Sequence, residues 1–221
     1  QYPLAMDRAR GQGEPVAAVA AATRAQAEDA LDDFTGDVLV LYGDVPFVRG
    51  ETMQAMLDRL HAEDAPKVVV LGFEPDDALA YGRVIADDQG KIAKMVEFKD
   101  ASEEERACNL CNSGLMAARA ADMFALLRRV GNDNAQGEYY LPDIVNIAIA
   151  DGDTCAAVTA SDPGEVAGIN SRGELARAEA QWQDLKREEA MAGGATLRAP
   201  ETVFFSYDTE IGRDVTIDPN V

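Results

Sequence analysis

Two hydrophobic rhythms alternate along this chain. Val38-Leu39-Val40-Leu41-Tyr42 is a continuous apolar run, the pattern of a strand buried on both faces. Met53, Met56, Leu57 and Leu60 then fall at i, i+3, i+4 and i+7, one face of a helix that Thr52 is placed to cap and that Pro66 ends. Residues 67–73 repeat the buried-strand pattern. Residues 81–86 and 91–98 flank Asp87-Asp88-Gln89-Gly90 and read as a β-hairpin, with Gly90 supplying the turn geometry. A strand over 110–117, helices over 121–130 and 142–150 and a strand over 154–159 follow. Strands separated by helices predict an α/β layer with a mostly parallel sheet, and the hairpin predicts a mixed edge.

The last quarter changes character. Arg172–Ala192 reads as one long amphipathic helix with Leu175, Ala178, Trp182 and Leu185 along a stripe, stopped by Gly193-Gly194. Residues 211–221 repeat with a six-residue period: Ile211 recurs as Ile217 and Val215 as Val221. That is the spacing of a parallel β-helix coil, and equally of an ordinary strand.

Charge and composition narrow the function. Of 221 residues, 40 are Asp or Glu against 20 Lys or Arg, a net charge of −20, while 47% are apolar. The apolar share fits a globular domain, and the acidity argues against a nucleic-acid groove or a polybasic membrane patch. A phosphorylated ligand would need backbone amides, a metal or a few placed cations. The longest apolar run, residues 16–22, is far short of a membrane span, and residues 1–11 lack the core of a signal peptide. A cytoplasmic protein is expected, with no nucleic acid and no membrane partner. The chain does not open on Met, so a fragment or processed chain is expected as well.

Candidate chemistry lies at strand ends. Gly43-Asp44 sets a carboxylate at the C-terminal end of a predicted buried strand, where open α/β sheets form their ligand crevice. Asn170, at another strand-to-helix junction, offers an amide oxygen. Together they suit a hard cation such as Mg²⁺, although Asn170 alone reads as a helix N-cap. Residues 132–140, NDNAQGEYY, crowd amides, carboxylates and two tyrosine hydroxyls, a set suited to a sugar or to a capping loop. Glu97 ends a hairpin strand, and Asn112-Ser113-Gly114 interrupts an apolar one as a bulge would. Cys108 and Cys111 make a C-x-x-C with no second Cys or His pair, a structural pair rather than a redox or zinc site. His61, the single histidine, belongs to a charged helix surface.

In order, VLVLYGDVP, AYGRVI, VEFKDA, NSGLM, NDNAQGEYYLPDIV, EVAGINSR and IGRDVTIDPNV resemble the bifunctional N-acetylglucosamine-1-phosphate uridylyltransferase/glucosamine-1-phosphate N-acetyltransferase family, from about Leu31 onward. The resemblance implies a Rossmann-like nucleotidyltransferase domain with a mixed, mostly parallel sheet over residues 1–171, its N-terminal part incomplete. A linker helix over 172–194 and the truncated start of a left-handed β-helix over 195–221 would follow. It implies UMP transfer from UTP to N-acetylglucosamine 1-phosphate, giving UDP-N-acetylglucosamine and pyrophosphate for cell-wall precursors. The full-length parent would be a homotrimer that also N-acetylates glucosamine 1-phosphate.

By the same resemblance, Tyr42, Gly43 and Asp44 would line the nucleotide and phosphate site. Gly82, Glu97, Asn112 and Tyr140 would contact the sugar. Asp44, the catalytic carboxylate, and Asn170 would hold Mg²⁺. Pro142 stands where the family has a threonine. Nothing in residues 1–30 matches the family's Gly-rich loop or uracil segment, and seams between joined pieces are expected near Gly11 and Ala21. Two other readings stay open: a different sugar-1-phosphate nucleotidyltransferase, or a catalytically dead sugar-binding or assembly module.

Overall fold

Alternation along the strands decides which helices cover which side of the sheet. The computed structural model describes residues 34–78, 81–132 and 139–221. The motif residues 133–138 and the N-terminal segment fall outside these. The chain divides into two compact units, the first ending at Ala167 and the second spanning Gly168–Val221.

In the first unit, β1 (Asp37–Val40), β2 (Val68–Phe73), β3 (Arg83–Ala86), β4 (Ile92–Val96), β5 (Cys111–Arg119) and β6 (Cys155–Thr159) form one sheet. All six residues of β2 are buried. Val69 and Leu71 pack with Met56 and Leu60 of α1 (Gly50–Leu60) on one side. Val68 and Val70 pack on the other with Met123 and Leu126 of α3 (Ala120–Leu127) and Ile144, Val145 and Ala148 of α4 (Asp143–Ala150). Each such side chain contributes roughly 1.5–3 kcal/mol on burial. A short α2 (Glu103–Ala107) is held by a reciprocal Ser102–Glu105 capping box.

The strand order is β4-β3-β5-β2-β6, with β1 also paired to β5. Four of the six strands point one way, while β4 and β5 oppose them. Because β5 lies between the others, every ladder it makes is antiparallel. Within this sheet, among the described residues, only β2 and β6 pair in parallel. The hairpin lies at the sheet edge as expected, with Gly90 at φ +73°.

Two local expectations change. No residue of β1 is fully buried, and Leu41 and Tyr42 lie exposed beyond its end; among the described residues β1 has a partner only on the β5 side. Thr52 does not cap α1, which starts at Gly50 after Arg49. Its hydroxyl instead donates to the buried Glu165 carboxylate, 113 residues on.

The second unit is built on α5 (Arg172–Ala192), capped by the Ser171 side chain and ended at Gly193-Gly194. A parallel ladder joins β7 (Thr196–Leu197) to β8 (Thr216–Ile217). Leu197, Val203 and Phe205 cluster with Trp182, Ala190, Ile211 and Ile217. The expected stripe is only partly used: Leu175 and Leu185 are exposed. Gln183 and Arg187 are buried instead, because they satisfy the backbone of Phe205 and Val203.

Candidate active site

One edge of β5 pairs with β1 as far as Met116 and with β3 from Cys111. The residues between them, 112–115, line a break where two strands share an edge without meeting. The local sequence suits this position. Ser113 Oγ donates to the Leu71 carbonyl at 2.6 Å and accepts from Leu115 N–H, while Gly114 N–H donates to Asn112 Oδ1 at 2.9 Å. The polar triplet is thus the bulge that its composition suggested, and it satisfies its own backbone.

Across that level the register sets a row. Arg83 pairs with Val96 on one side and Cys111 on the other, so Gly82, Glu97 and Asn112 follow one another one step away. The Asn112 backbone N–H donates to the Gly82 carbonyl at 2.9 Å. A Cβ at Gly82 would touch both Glu97 carboxylate oxygens at 3.4 Å, so the carboxylate lies over this glycine. Gly82, Glu97, Asn112 and Tyr140 line one cavity, with Pro142, Asp143 and Asn146 closing another side. Its volume is about 30 Å³, enough to admit water. Among the described residues no ion pair ties Glu97 to Lys99.

Arg83 supports this row from behind. Neighbouring strand residues face opposite sides, so its side chain lies away from the Gly82 face. Its guanidinium donates to the Tyr81 carbonyl and sits 5.4 Å from the Phe98 ring centre. Arg106 lies 4.9 Å from the same ring and donates to the Phe98 and Lys99 carbonyls. The turn that carries Glu97 is therefore gripped on its reverse side.

Tyr42, Gly43 and Asp44 form a separate rim. The Tyr42 carbonyl accepts from Val45 N–H at 3.1 Å, closing a turn, and space above Gly43 is open to 4 Å. The Tyr42 ring lies over Gly114: a Cβ there would fall 2.3 Å from it, and Gly114 has φ +85°, so glycine is required twice over. Burial, and then the neighbouring Asp44 charge, push the Tyr42 hydroxyl above its usual pKa. The exposed Asp44 carboxylate has no hydrogen-bond partner among the described residues.

Asn170 belongs to the second unit. Its capping alternative is removed, because Ser171 caps α5 while the Asn170 backbone N–H donates to Glu174. Its side-chain amide is uncommitted among the described residues. The Asp44 carboxylate thus offers hard oxygens with no competing partner, the donor type that suits Mg²⁺, which commonly takes one or two protein ligands and keeps waters. No cluster of three His, Cys, Asp or Glu side chains suited to a metal occurs among the described residues.

The remaining candidates have structural partners. His61 pairs with Asp37 on the surface at 2.7 Å. Cys108 donates to the Val84 carbonyl and Cys111 lies by Arg83, so the two thiols have separate environments. Burial pushes the Cys155 thiol up to about 11. Among the described residues no helix is long and apolar enough to cross a membrane. Asp143 and Asn146 were not anticipated. Their signal was a pair of polar residues three apart on an otherwise apolar helix, directly after the Tyr139-Tyr140 motif.

A three-layer α/β unit with polar residues gathered at strand ends is a ligand-binding enzyme architecture, and the chain belongs to the nucleotidyl transferase family, whose sequence profile matches residues 9–191. Over 196 residues it is 71% identical to the bifunctional protein GlmU of Novosphingobium aromaticivorans and 69% identical to that of Sphingopyxis alaskensis. Each match covers 89% of this chain and 43% of the relative, so the chain spans less than half the length of these curated relatives. Its fold also matches a CMP:2-keto-3-deoxy-manno-octonic acid synthetase solved with CTP, at TM-score 0.50 and 16% identity, over 72% of this chain and 66% of that one.

Proposed function

We propose that this chain carries the uridylyltransferase part of a bifunctional enzyme, transferring UMP from UTP to N-acetylglucosamine 1-phosphate. UDP-N-acetylglucosamine and pyrophosphate are the products, and the parent also N-acetylates glucosamine 1-phosphate. The observation that carries the reading is the convergence of Gly82, Glu97, Asn112 and Tyr140 on one cavity. These were the four sugar contacts implied by motif alone, and high identity to GlmU proteins supports the same assignment.

In this reading Glu97 and Asn112 bind and orient the sugar, with the Gly82 backbone letting the carboxylate close in. A sugar phosphate oxygen attacks the α-phosphorus of UTP as the bond to pyrophosphate breaks. Orientation supplies much of the acceleration, and no protein nucleophile is needed. Tyr42 and Gly43 bound the nucleotide side. Asp44 would hold Mg²⁺, which would offset the phosphate charge that a protein of net charge −20 would otherwise repel.

The β7–β8 ladder joins residues twenty positions apart, Thr196 with Thr216. This supports residues 195–221 as the first coil of a left-handed β-helix, after a nucleotidyltransferase domain over 1–171 and a linker over 172–194. A cytoplasmic homotrimer is the expected full-length form. The test is pyrophosphate release by the full-length protein with a panel of nucleoside triphosphates and sugar 1-phosphates. UTP with N-acetylglucosamine 1-phosphate should exceed other pairs by at least roughly 10²-fold, the scale of polar-group discrimination. Preference for another base or sugar, or binding without turnover, would overturn the reading.

A further inference from the structure

The cavity that gathers Gly82, Glu97, Asn112 and Tyr140 has a second polar side, Asp143 and Asn146, from α4. Residues three apart on a helix share a side. Asn146 is fixed in place: its Oδ1 accepts from Met95 N–H and its Nδ2 donates to the Met95 carbonyl, both at 3.0 Å. The side-chain amide thereby stands in for a neighbouring strand along β4, the end strand of the sheet order, two residues before Glu97. The helix that begins with Asp143 is thus tied to the strand that ends beside Glu97.

Asp143 itself is uncommitted. Its carboxylate makes no hydrogen bond or ion pair among the described residues, though it is half-buried, and burial pushes its pKa up. An acidic residue in the first turn of a helix offsets the helix dipole, which is the plain structural account. That account does not explain why the residue lines the same cavity as Glu97, or why Asn146 locks its helix to β4.

We propose that Asp143 is a specificity-determining residue for the acceptor sugar, accepting a hydrogen bond from a ring hydroxyl, with Asn146 as the positioning residue that holds it at the cavity. An ionised carboxylate only accepts, and a sugar hydroxyl is the complementary donor. Two carboxylates on one cavity repel a phosphate, so this wall would receive the hydroxyl side of the sugar. The inference rests on the cavity being the sugar site.

The test is a cycle of protein and substrate deletions on the full-length protein. Wild type, Asp143→Asn and Asn146→Leu are assayed with N-acetylglucosamine 1-phosphate and its 3-, 4- and 6-deoxy analogues. In wild type, one analogue should lose roughly 10- to 100-fold in kcat/KM. Asp143→Asn should lose a similar factor on the parent sugar and discriminate that analogue less than about threefold, as expected when both deletions remove one contact. Its KM for UTP should stay within about twofold, and Asn146→Leu should show a smaller loss of the same kind.

Unchanged sugar KM and unchanged analogue discrimination in Asp143→Asn would overturn the proposal, whatever its Tm. That variant is isosteric, so the result does not depend on Asn146→Leu folding. A wild type that prefers another sugar phosphate overturns the functional reading alone, and the same cycle then runs on that sugar. Where turnover is absent, calorimetric affinities for the sugar phosphate that are equal in wild type and Asp143→Asn overturn the inference.

Discussion

The cavity and the rim beside it are built in opposite ways. Gly82, Glu97 and Asn112 come from three strands and are brought level by ladder register, with Arg83 and Arg106 gripping the reverse side. Tyr42, Gly43 and Asp44 come from one turn at the end of a half-buried strand, with open space over Gly43. A surface fixed by several strands can discriminate the shape of a ligand before it binds. One held by a single turn completes its electrostatics only with ligand and cation present. Specificity would thus reside in the cavity and chemistry at the rim, and each substitution below tests that division.

The largest effect is expected at Asp44. Asp44→Ala removes an exposed carboxylate with no partner among the described residues, so Tm should stay within about a degree. Turnover should fall by roughly 10²- to 10³-fold, the scale of losing one transition-state electrostatic group. Steady-state rates across a Mg²⁺ titration would check it. Near-normal turnover at ordinary Mg²⁺ would place the chemistry elsewhere.

Glu97→Ala comes next and should act on one substrate only. Unpaired hydroxyls on a bound sugar cost about 1–3 kcal/mol each, so kcat/KM for the sugar phosphate should drop roughly 10- to 100-fold. UTP constants should change little, and Lys99→Ala should leave both substrates alone. Equal losses for UTP and sugar in Glu97→Ala would dissolve the distinction between cavity and rim.

What the sequence made legible follows the reach of each signal. β2 and the hairpin stood out because a six-residue apolar run and a Gly-ended turn are local patterns. The limits of α5 were readable from its periodicity and the Gly193-Gly194 stop. Strand direction was not readable, since an apolar run looks the same in both directions; β5 therefore stood among parallel expectations although it opposes its neighbours. Thr52 looked like a cap because a hydroxyl before an apolar stripe is a cap signal, while its true partner, Glu165, is 113 residues away. In the site, motif order supplied Glu97 and Asn112. Asp143 and Asn146 stayed hidden within an apolar helix whose neighbour, β4, only the fold reveals.

Gly114→Ala probes the seam between the two regions and should have a mixed effect. Its φ of +85° disfavours any side chain, and the added Cβ would collide with the Tyr42 ring. Strain of this kind costs roughly 1–3 kcal/mol, a Tm loss of several degrees in a protein of this size. Because the ring must move, the KM for UTP should rise by a few-fold. The sugar KM should rise too, since Asn112 bonds the Gly114 amide. Thermal melts with both KM values would check this. A change confined to the sugar would mean that Tyr42 does not bound the nucleotide side.

The smallest effect on catalysis is expected at Thr52, behind the rim. Its hydroxyl donates to the buried Glu165 carboxylate, which also accepts from the Arg49 backbone and pairs with the Arg49 guanidinium. This network fastens the start of α1, six residues beyond Asp44, to the 161–166 segment. Thr52→Val keeps the side-chain shape and leaves Glu165 one donor short in a buried place, a loss of about 1–3 kcal/mol. Tm should therefore fall by several degrees while both KM values and kcat stay within about twofold, because the turn at Tyr42–Val45 closes through its own backbone. Melting curves and two-substrate kinetics on the same preparation decide the matter. If the KM for UTP or the Mg²⁺ requirement rose together with the loss of stability, the rim would be positioned through α1 rather than by its own turn. The contrast between a braced cavity and a free-standing rim would then fail.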